Sequence, residues 1–232
     1  MAPEPCPVVV NADDFGASVG INRGVIEAHR LGPVTSASLM VNAPAAADAA
    51  ARAAELPDLA VGIHVNFTNE GDHVVALTDP VACRTELHRQ LDAFHDLLGR
   101  PPTHVDSHHN VHIRLPQLTE LFLEAARDVG VPLRAFSPVR YVPRFYGRWD
   151  GETHPEQVTA ASFLAIVDAE RGAGPFELAC HPGHADPEFS SEYDGERQQE
   201  LATLCSPALM AGLAARPIAL VSFADLAGAE AA

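Results

Sequence analysis

The sequence predicts an α/β protein built on a parallel sheet. Short apolar runs alternate with segments of helical periodicity, and these runs are nearly continuous, as in strands that are buried on both faces. The chain has neither a G-x-G-x-x-G motif after the first strand nor a G-x-x-x-x-G-K-[ST] motif, which argues against nucleotide-binding open sheets. An open doubly wound sheet also fits the pattern, but we favour a distorted or incomplete barrel of about seven parallel strands.

The predicted elements follow one another in β/α units. The first strand covers residues 7–10, and the first helix, residues 21–31, ends at a Gly-Pro pair that breaks helices. The other strands are predicted at residues 34–41, 59–66, 103–106, 131–135, 176–180 and 217–223, and the other helices at residues 45–55, 81–98, 115–129, 155–171 and 197–215. No internal repeat or linker interrupts this series, so we expect residues 1–232 to form a single domain.

The amino-acid composition limits the possible binding partners of the protein and its expected cellular compartment. Fifteen basic residues, all of them arginine, face thirty-one acidic residues, and the net charge of −16 argues against a nucleic-acid partner. No apolar run reaches the roughly 18 residues of a membrane-spanning helix. Residues 1–7 show no secretory signal. We therefore expect a cytoplasmic protein without stable membrane insertion, which could form a homodimer.

Histidine and aspartate residues concentrate at the ends of predicted strands. NADDFG at residues 11–16 follows the first strand, GIH at 62–64 lies on the third, DSHHNVH at 106–112 follows the fourth, and CHPGH at 180–184 follows the sixth. The carboxyl ends of the strands in an α/β barrel meet at one rim, which carries the active site. We expect these four segments to converge at that rim.

Most of these residues, taken singly, have an ordinary structural explanation. The Asp13-Asp14 pair suits a turn or a helix cap. A lone strand histidine such as His64 is usually a core residue, and His181 can simply end its strand. The 106–112 segment is different, because three histidines and one aspartate within seven residues have no packing rationale and offer imidazole ligands for a divalent ion.

Together the segments supply a carboxylate and two imidazoles from separate strands, which is the ligand set of an open catalytic metal site. The neighbouring Asp13 and Asp14 project differently, so that one can bind the ion while the other accepts a proton. Hydrolysis by metal-activated water is the chemistry that this ligand set indicates.

At these positions the sequence resembles the YdjC-type carbohydrate deacetylases, which include chitooligosaccharide and hopanoid-glycan deacetylases. The resemblance spans nearly the whole chain and rests on VNADDFG at 10–16, GIH at 62–64, HVDSHH at 104–109 and CHP at 180–182, with support from VTSAS at 34–38. It implies a distorted β/α barrel of the glycoside hydrolase/deacetylase type. It also implies a divalent metal ion, with Mg²⁺ or Zn²⁺ as candidates, and removal of the acetyl group from an N-acetylated sugar or glycoconjugate.

The same resemblance assigns roles to five residues. Asp14, His64 and His108 would hold the ion. Asp13 would be the general base, and His181 would be the general acid that protonates the leaving amine. Asn110 stands where some relatives have a third consecutive histidine, and the segment 66–80 is compact. These departures affect the choice of sugar rather than the metal site.

Further residues are candidates for supporting contacts. Asp106, His109 and His112 are interpreted as groups that orient a ligating imidazole or touch the substrate, with His112 as a substitute ligand. The irregular segment 136–154 carries groups that could stack on or hydrogen-bond a sugar, although ordinary loop packing explains each one more simply. These candidates are Arg140, Arg144, Tyr146 and Trp149.

Two other functions fit parts of the pattern. A metal-dependent phosphoesterase or another amidohydrolase could use the same ligands, although no second ligand set suggests a two-metal phosphatase. A non-catalytic sugar-binding barrel is the other alternative. The presence of Asp13 and His181 beside the ligands argues against it, because binding alone requires neither a base nor an acid.

Overall fold

The computed structural model describes residues 4–69, 72–189 and 191–229; residues 1–3, part of the segment inspected for a secretory signal, lie outside this description. Within it the elements are, in chain order, β1 Cys6–Phe15, α1 Val19–Leu31, β2 Ser36–Leu39, α2 Ala46–Ala54, β3 Ala60–Val65, β4 Thr68–Asn69, β5 Asp72–His73, α3 Pro80–Leu98, β6 Val105–Ser107, α4 Val111–Arg114, α5 Pro116–Val129, β7 Arg140–Val142, β8 Arg148–Trp149, β9 Glu152–Thr153, α6 Ala160–Glu170, β10 Phe176–Cys180, α7 Asp194–Leu204, α8 Pro207–Ala214, β11 Ile218–Leu220 and α9 Phe223–Ala229. Short 3₁₀ helices cover His108–Asn110 and Pro155–Val158.

Seven strands form a parallel sheet around β1. Their order is β6-β3-β2-β1-β10-β7, and β11 also pairs with β1. Val8 pairs with both β10 and β11, whereas Ala12 pairs with both β10 and β2. β11 and β2 therefore follow each other along the same side of β1. No pairing joins β6 to β7 within the described ranges, so the sheet is the incomplete barrel that the sequence predicts.

The β1 strand illustrates why the sheet is buried on both faces. Val8, Val9 and Val10 are all fully shielded from solvent, and β-branched residues favour strands. Outside the sheet, neighbouring helices pack in the order α7-α1-α2-α3-α5. This arrangement covers an apolar sheet with amphipathic helices, as expected for repeated β/α units. Among the described helices, none combines the length and the apolar character that crossing a membrane requires.

The strand predicted at residues 131–135 is wrong in extent. Only Leu133 forms a bridge, to Val105 of β6. Pro132 has no N–H to donate to a ladder, and Ala135 has a φ of 64° that ends the extended backbone. The missing strand is β7, which lies inside the segment predicted to be irregular. It contains only three residues, enclosed by Pro138 and Pro143, and so gives almost no sequence signal.

Two predicted helices are divided. Residues 155–171 begin as a 3₁₀ helix, after which the Thr159 side chain accepts a hydrogen bond from Ser162 N and caps α6. Residues 197–215 are split into α7 and α8 because Ser206 caps a new helix whose first residue is Pro207. The predicted strand 217–223 is shortened to β11, since Phe223 begins α9.

Candidate active site

The four predicted segments do meet at the carboxyl ends of the parallel strands. Asp13 and Asp14 close β1, His64 lies near the end of β3, Asp106 lies on β6 and His181 directly follows β10. At the end of β1 the pairing with β2 shifts register between Ala12 and Phe15. Asp14 has a φ of 64°, a left-handed conformation that aspartate tolerates better than most residues. This irregularity turns the two neighbouring carboxylates in different directions.

Asp14, His64 and His108 form a cluster with the geometry of a metal centre. Asp14 Oδ1 lies 3.3 Å from His64 Nε2 and 3.0 Å from His108 Nδ1, and the three ligand atoms all lie within 4.8 Å of one another. Asp14 Oδ1 is buried, and apart from these two imidazole nitrogens it has no hydrogen-bond donor among the residues that the structure describes. One carboxylate oxygen and two imidazole nitrogens that face a common point suit a divalent cation with open coordination positions.

The charges around the cluster fix the protonation of its members. Burial is the strongest influence on the Asp14 carboxyl and favours its neutral form, but Arg197 and His108 outweigh it and hold the pKa of Asp14 well below its usual range. Burial also favours neutral His64, but Asp106, Asp14 and Asp13 raise the pKa of His64 to about 10. An incoming metal ion would therefore displace a proton from His64.

Asp106 orients His64. Asp106 Oδ1 lies 2.7 Å from His64 Nδ1, and both side chains are almost completely buried. With Nδ1 held in this way, the other ring nitrogen of His64 points at Asp14. The second Asp106 oxygen accepts a hydrogen bond of 2.6 Å from Ser38 Oγ. Asp106 thus contacts the imidazole where an orienting carboxylate would, and its role remains a prediction.

Asp13 is held separately by Arg134. The guanidinium donates from Nη1 to Asp13 Oδ2 at 2.8 Å and from Nη2 to Asp13 Oδ1 at 2.6 Å, while Asn11 Nδ2 donates to Oδ1 at 2.8 Å. Burial would raise the pKa of Asp13, but Arg134 outweighs burial and lowers it. Asp13 is thus an ionised carboxylate beside the cluster.

The His181 ring lies between Asp13 and Glu200, with one ring nitrogen facing each carboxylate. His181 Nε2 is 3.9 Å from Asp13 Oδ2, and His181 Nδ1 is 3.8 Å from Glu200 Oε1. Glu200 is fully buried and also accepts hydrogen bonds from the His181 backbone N–H at 2.5 Å and from the Tyr193 hydroxyl at 2.6 Å. Burial opposes the charged ring, but Glu200 and then Asp13 and Asp14 outweigh it and raise the pKa of His181.

A cleft of about 290 Å³ opens onto these groups. The two clustered imidazoles, both aspartates and His181 line it, together with a wall of three tyrosines. Two of these, Tyr146 and Tyr193, stack with ring centroids 4.5 Å apart. His109 also lines the cleft and makes a 2.8 Å hydrogen bond to Thr68 Oγ1. A second cleft of about 570 Å³ adjoins the first at Asp14.

Besides Asp106, four of the sequence candidates are not among the described residues that line the cleft. His112 is fully buried, with its ring nitrogens 2.5 Å from Ser107 Oγ and 3.3 Å from the Arg134 carbonyl oxygen, so it holds the loop after β6 instead of substituting as a ligand. Arg140 lies where β7 pairs with the first residue of β10, at the far end of the strands, and its guanidinium donates to Glu170 at 2.6 Å. Arg144 also pairs with Glu170.

Trp149 is the fourth of these candidates. Its ring stacks on His154, with the centroids 3.4 Å apart, within the β8–β9 hairpin. Of the candidates in the irregular segment, Tyr146 is the one that the structure brings into the cleft. For the others, the simpler explanation of loop packing accounts for their positions.

Three residues that contact the predicted site residues carry no signal in the four sequence motifs. Arg134, Arg197 and Glu200 are each at most 6% exposed, but they lie outside the four motifs. Arg134 gives a usable signal, because it is a charge inside the otherwise apolar stretch 131–135. Arg197 and Glu200 lie in a helix rich in charged residues, where nothing in the sequence separates them from solvent-facing neighbours.

Solved structures show the class of fold. A protein from Mycobacterium smegmatis described as a polysaccharide deacetylase is 14% identical and has a TM-score of 0.62, over 97% of this chain and 90% of that one. A protein from Enterococcus faecalis V583 described as a cellobiose-phosphate cleavage protein has a TM-score of 0.84 at 25% identity, over 96% of this chain and 99% of that one. The fold is therefore the parallel half-barrel of polysaccharide deacetylases.

Sequence comparison then gives the family. The sequence model of the YdjC-like protein family matches residues 7–215. A chitooligosaccharide deacetylase from Serratia marcescens is 36% identical, and the match covers 94% of this chain and 98% of that protein. The chain belongs to the YdjC-like protein family, as its resemblance at the four motifs predicts.

Proposed function

We propose that this protein is a metal-dependent N-deacetylase that hydrolyses the acetamide group of an N-acetylated amino sugar, as part of an oligosaccharide or a glycoconjugate. One observation carries the proposal. A carboxylate and two imidazoles with converging ligand atoms share a cleft with an ionised carboxylate and a histidine of raised pKa. The name of the Serratia marcescens relative supports the substrate class.

Asp14, His64 and His108 would hold the divalent ion. Imidazole and carboxylate ligands together admit Zn²⁺, Mg²⁺ and other divalent metals. When bound, the ion supplies a Lewis acid that lowers the pKa of water and polarises the acyl oxygen. Asp106 contributes by holding His64 in the orientation that ligation requires.

Asp13 is the general base in this proposal. Its ion pair with Arg134 keeps it ionised and holds both of its oxygens in place. The carboxylate accepts a proton from the attacking water as the new C–O bond forms at the acetamide carbon. Because Asp13 belongs to β1 and Arg134 spans the barrel interior, the position of the base depends on the sheet and not on a loop.

His181 is the general acid. The C–N bond breaks only when the nitrogen gains a proton, because an amide anion is a very poor leaving group. His181 Nε2 faces the same space as Asp13, and Glu200 favours the protonated ring. Proton transfer from His181 releases a free amino sugar, and acetate is the other product.

The tyrosine wall suits a sugar ring, which presents apolar C–H faces and hydroxyl groups to aromatic side chains. Cytoplasmic location, homodimer formation, the absence of a nucleic-acid partner and the organisation of residues 1–232 as a single domain remain predictions from the sequence. They are consistent with a small-molecule substrate.

The test is release of acetate by purified protein that has been reconstituted with Zn²⁺ or Mg²⁺. The substrates are N-acetylglucosamine and its β-1,4-linked oligomers, each incubated with and without a chelator. We expect acetate release that the chelator abolishes and that added metal restores. Protein that contains metal but releases no acetate from any of these sugars, or a release that survives complete metal removal, would contradict the proposal.

A further inference from the structure

Tyr141 is a cleft residue to which the mechanism above gives no role. It lies on β7, opposite Glu177 of β10 in the sheet register. Glu177 points into the barrel and accepts from Arg134 Nε at 2.9 Å. Paired residues of adjacent strands project on the same face, so Tyr141 also points inward. Arg134 Cζ lies 4.8 Å from the centre of the Tyr141 ring.

The Tyr141 ring crosses the open side of the barrel. No pairing joins β7 to β6 within the described residues, and along the outer edge of β6 lies the single Leu133 bridge. The Tyr141 hydroxyl nevertheless reaches Asn110, in the 3₁₀ helix that follows β6. Asn110 Nδ2 donates to this hydroxyl at 3.2 Å. The hydroxyl therefore lies against the turn that carries His108, two residues before Asn110, and both Tyr141 and Asn110 line the cleft.

The hydrogen-bond direction leaves the hydroxyl proton available. Asn110 Nδ2 occupies a lone pair of the phenol oxygen, and within the described part of the chain no protein acceptor for the proton of Tyr141 is found. Burial is the main reason that the pKa of Tyr141 is raised, so the phenol keeps its proton at physiological pH. The cation beneath the ring strengthens a phenol as a donor, because it draws electron density from the oxygen.

We propose that Tyr141 is a catalytic residue whose hydroxyl donates a hydrogen bond to the acyl oxygen of the bound acetamide. The role rests on the proposed deacetylation. As water adds to the carbonyl carbon, negative charge grows on the acyl oxygen, and a preoriented donor stabilises this charge more than it stabilises the neutral amide. Tyr141 does not transfer its proton in this step. The effect therefore falls on the rate of the chemical step and not on substrate binding.

The test variant is Tyr141→Phe, which keeps the ring over Arg134 and removes only the hydroxyl. In metal-loaded protein we expect kcat to fall about 10²-fold, the lower end of the loss found when one oxyanion donor is removed. KM and bound metal should be unchanged, and thermal unfolding should match the wild type. The matched control is Arg140→Gln on the same strand, whose side chain pairs with Glu170 outside the cleft; it should keep wild-type kcat.

A second substrate makes the role specific. The fluorines of an N-trifluoroacetyl sugar withdraw charge from the acyl oxygen, so the loss caused by Tyr141→Phe should be smaller with this substrate than with the N-acetyl sugar. An unchanged kcat, a loss confined to KM, or an equal loss with both substrates would overturn the role, since a contact with a sugar hydroxyl does not depend on the acyl group. A wild-type protein that holds metal and releases no acetate would instead contradict the proposed function and this role together.

Discussion

Replacing Arg134 with methionine should destabilise the protein by about 4 kcal/mol at pH 7. The guanidinium is 1% exposed and contacts three buried carboxylates, Asp13, Asp106 and Glu177, at 2.6 to 2.9 Å. Removing one partner of a buried ion pair is costly because it leaves a charge in a medium that solvates it poorly. Methionine keeps much of the apolar stem of arginine, so the change acts mainly on charge.

The size of the stability loss depends on how the charge of each carboxylate is compensated once the arginine is removed. Asp106 keeps His64 at 2.7 Å. Burial raises the pKa of Glu177 to about 7, and Arg134 opposes this only in part. Glu177 therefore binds a proton at little cost when the arginine is removed. Asp13 loses the guanidinium that donates to both of its oxygens, and in the variant it avoids the cost of a poorly compensated buried charge by binding a proton. Protonation from an ordinary pKa of 3.8 costs about 1.4 kcal/mol for each pH unit, or about 4 kcal/mol at pH 7.

The pH dependence gives this reasoning a second, independent check. In the variant, folded Asp13 holds a proton that the unfolded chain releases above pH 3.8, so the variant loses stability as the pH rises. Wild-type Asp13 has a lowered pKa and is ionised in both states over this range. The difference between the two proteins should therefore shrink to about 2 kcal/mol at pH 5.

The assay is urea unfolding of metal-free protein in chelator at pH 7 and pH 5. Circular dichroism is the better probe, because the single tryptophan, Trp149, lies on an exposed hairpin. Glu177→Gln is the control, and its unfolding free energy should not fall below that of the wild type, because a carboxyl whose pKa is raised on folding is already disfavoured as an anion. A loss below about 1 kcal/mol, as for a surface pair, or a difference that does not shrink at pH 5, would refute the reasoning.

Two further predictions concern the groups that orient the imidazoles. Asp106→Asn should weaken metal affinity about 10- to 100-fold, because His64 loses the carboxylate that orients it; competition with a chromophoric chelator measures this, and an unchanged dissociation constant contradicts the orienting role. Glu200→Gln should lower the pKa of His181, so that the alkaline limb of the kcat/KM profile moves to lower pH while the acid limb stays. An alkaline limb that keeps its position would show that Glu200 does not govern the general acid.

The sequence predicts the sheet and the cleft residues well where a short motif carries the information. NADDFG, GIH, DSHHNVH and CHPGH each end or follow a strand that is apolar enough to recognise, and parallel strands bring their carboxyl ends to one rim. β10 is found with its predicted bounds, Phe176–Cys180. Asp13, Asp14, His64, His108 and His181 therefore meet as expected.

The remaining features of the fold and the site depend on contacts between residues far apart in the chain, and such contacts produce no periodic pattern in the sequence. β7 has three residues between prolines, and its identity as a strand comes from pairing with β10. Arg134 acquires its importance only because Asp13, Asp106 and Glu177 approach it from three different strands. Arg140 and Trp149 have the chemistry of sugar contacts, but the pairing of Arg140 with Glu170 and the stacking of Trp149 on His154 take both out of the cleft.

The most direct test of the account compares acetate release by Asp13→Asn protein with release by the wild type, at equal metal content, from an N-acetylglucosamine oligomer. Asparagine keeps the size of the side chain but cannot act as a base, and Asp13 is not among the ligands assigned to the ion. We predict bound metal at the wild-type level and loss of acetate release. Full activity in the variant, or loss of the metal together with activity, would contradict the division of roles between Asp13 and Asp14 on which the mechanism depends.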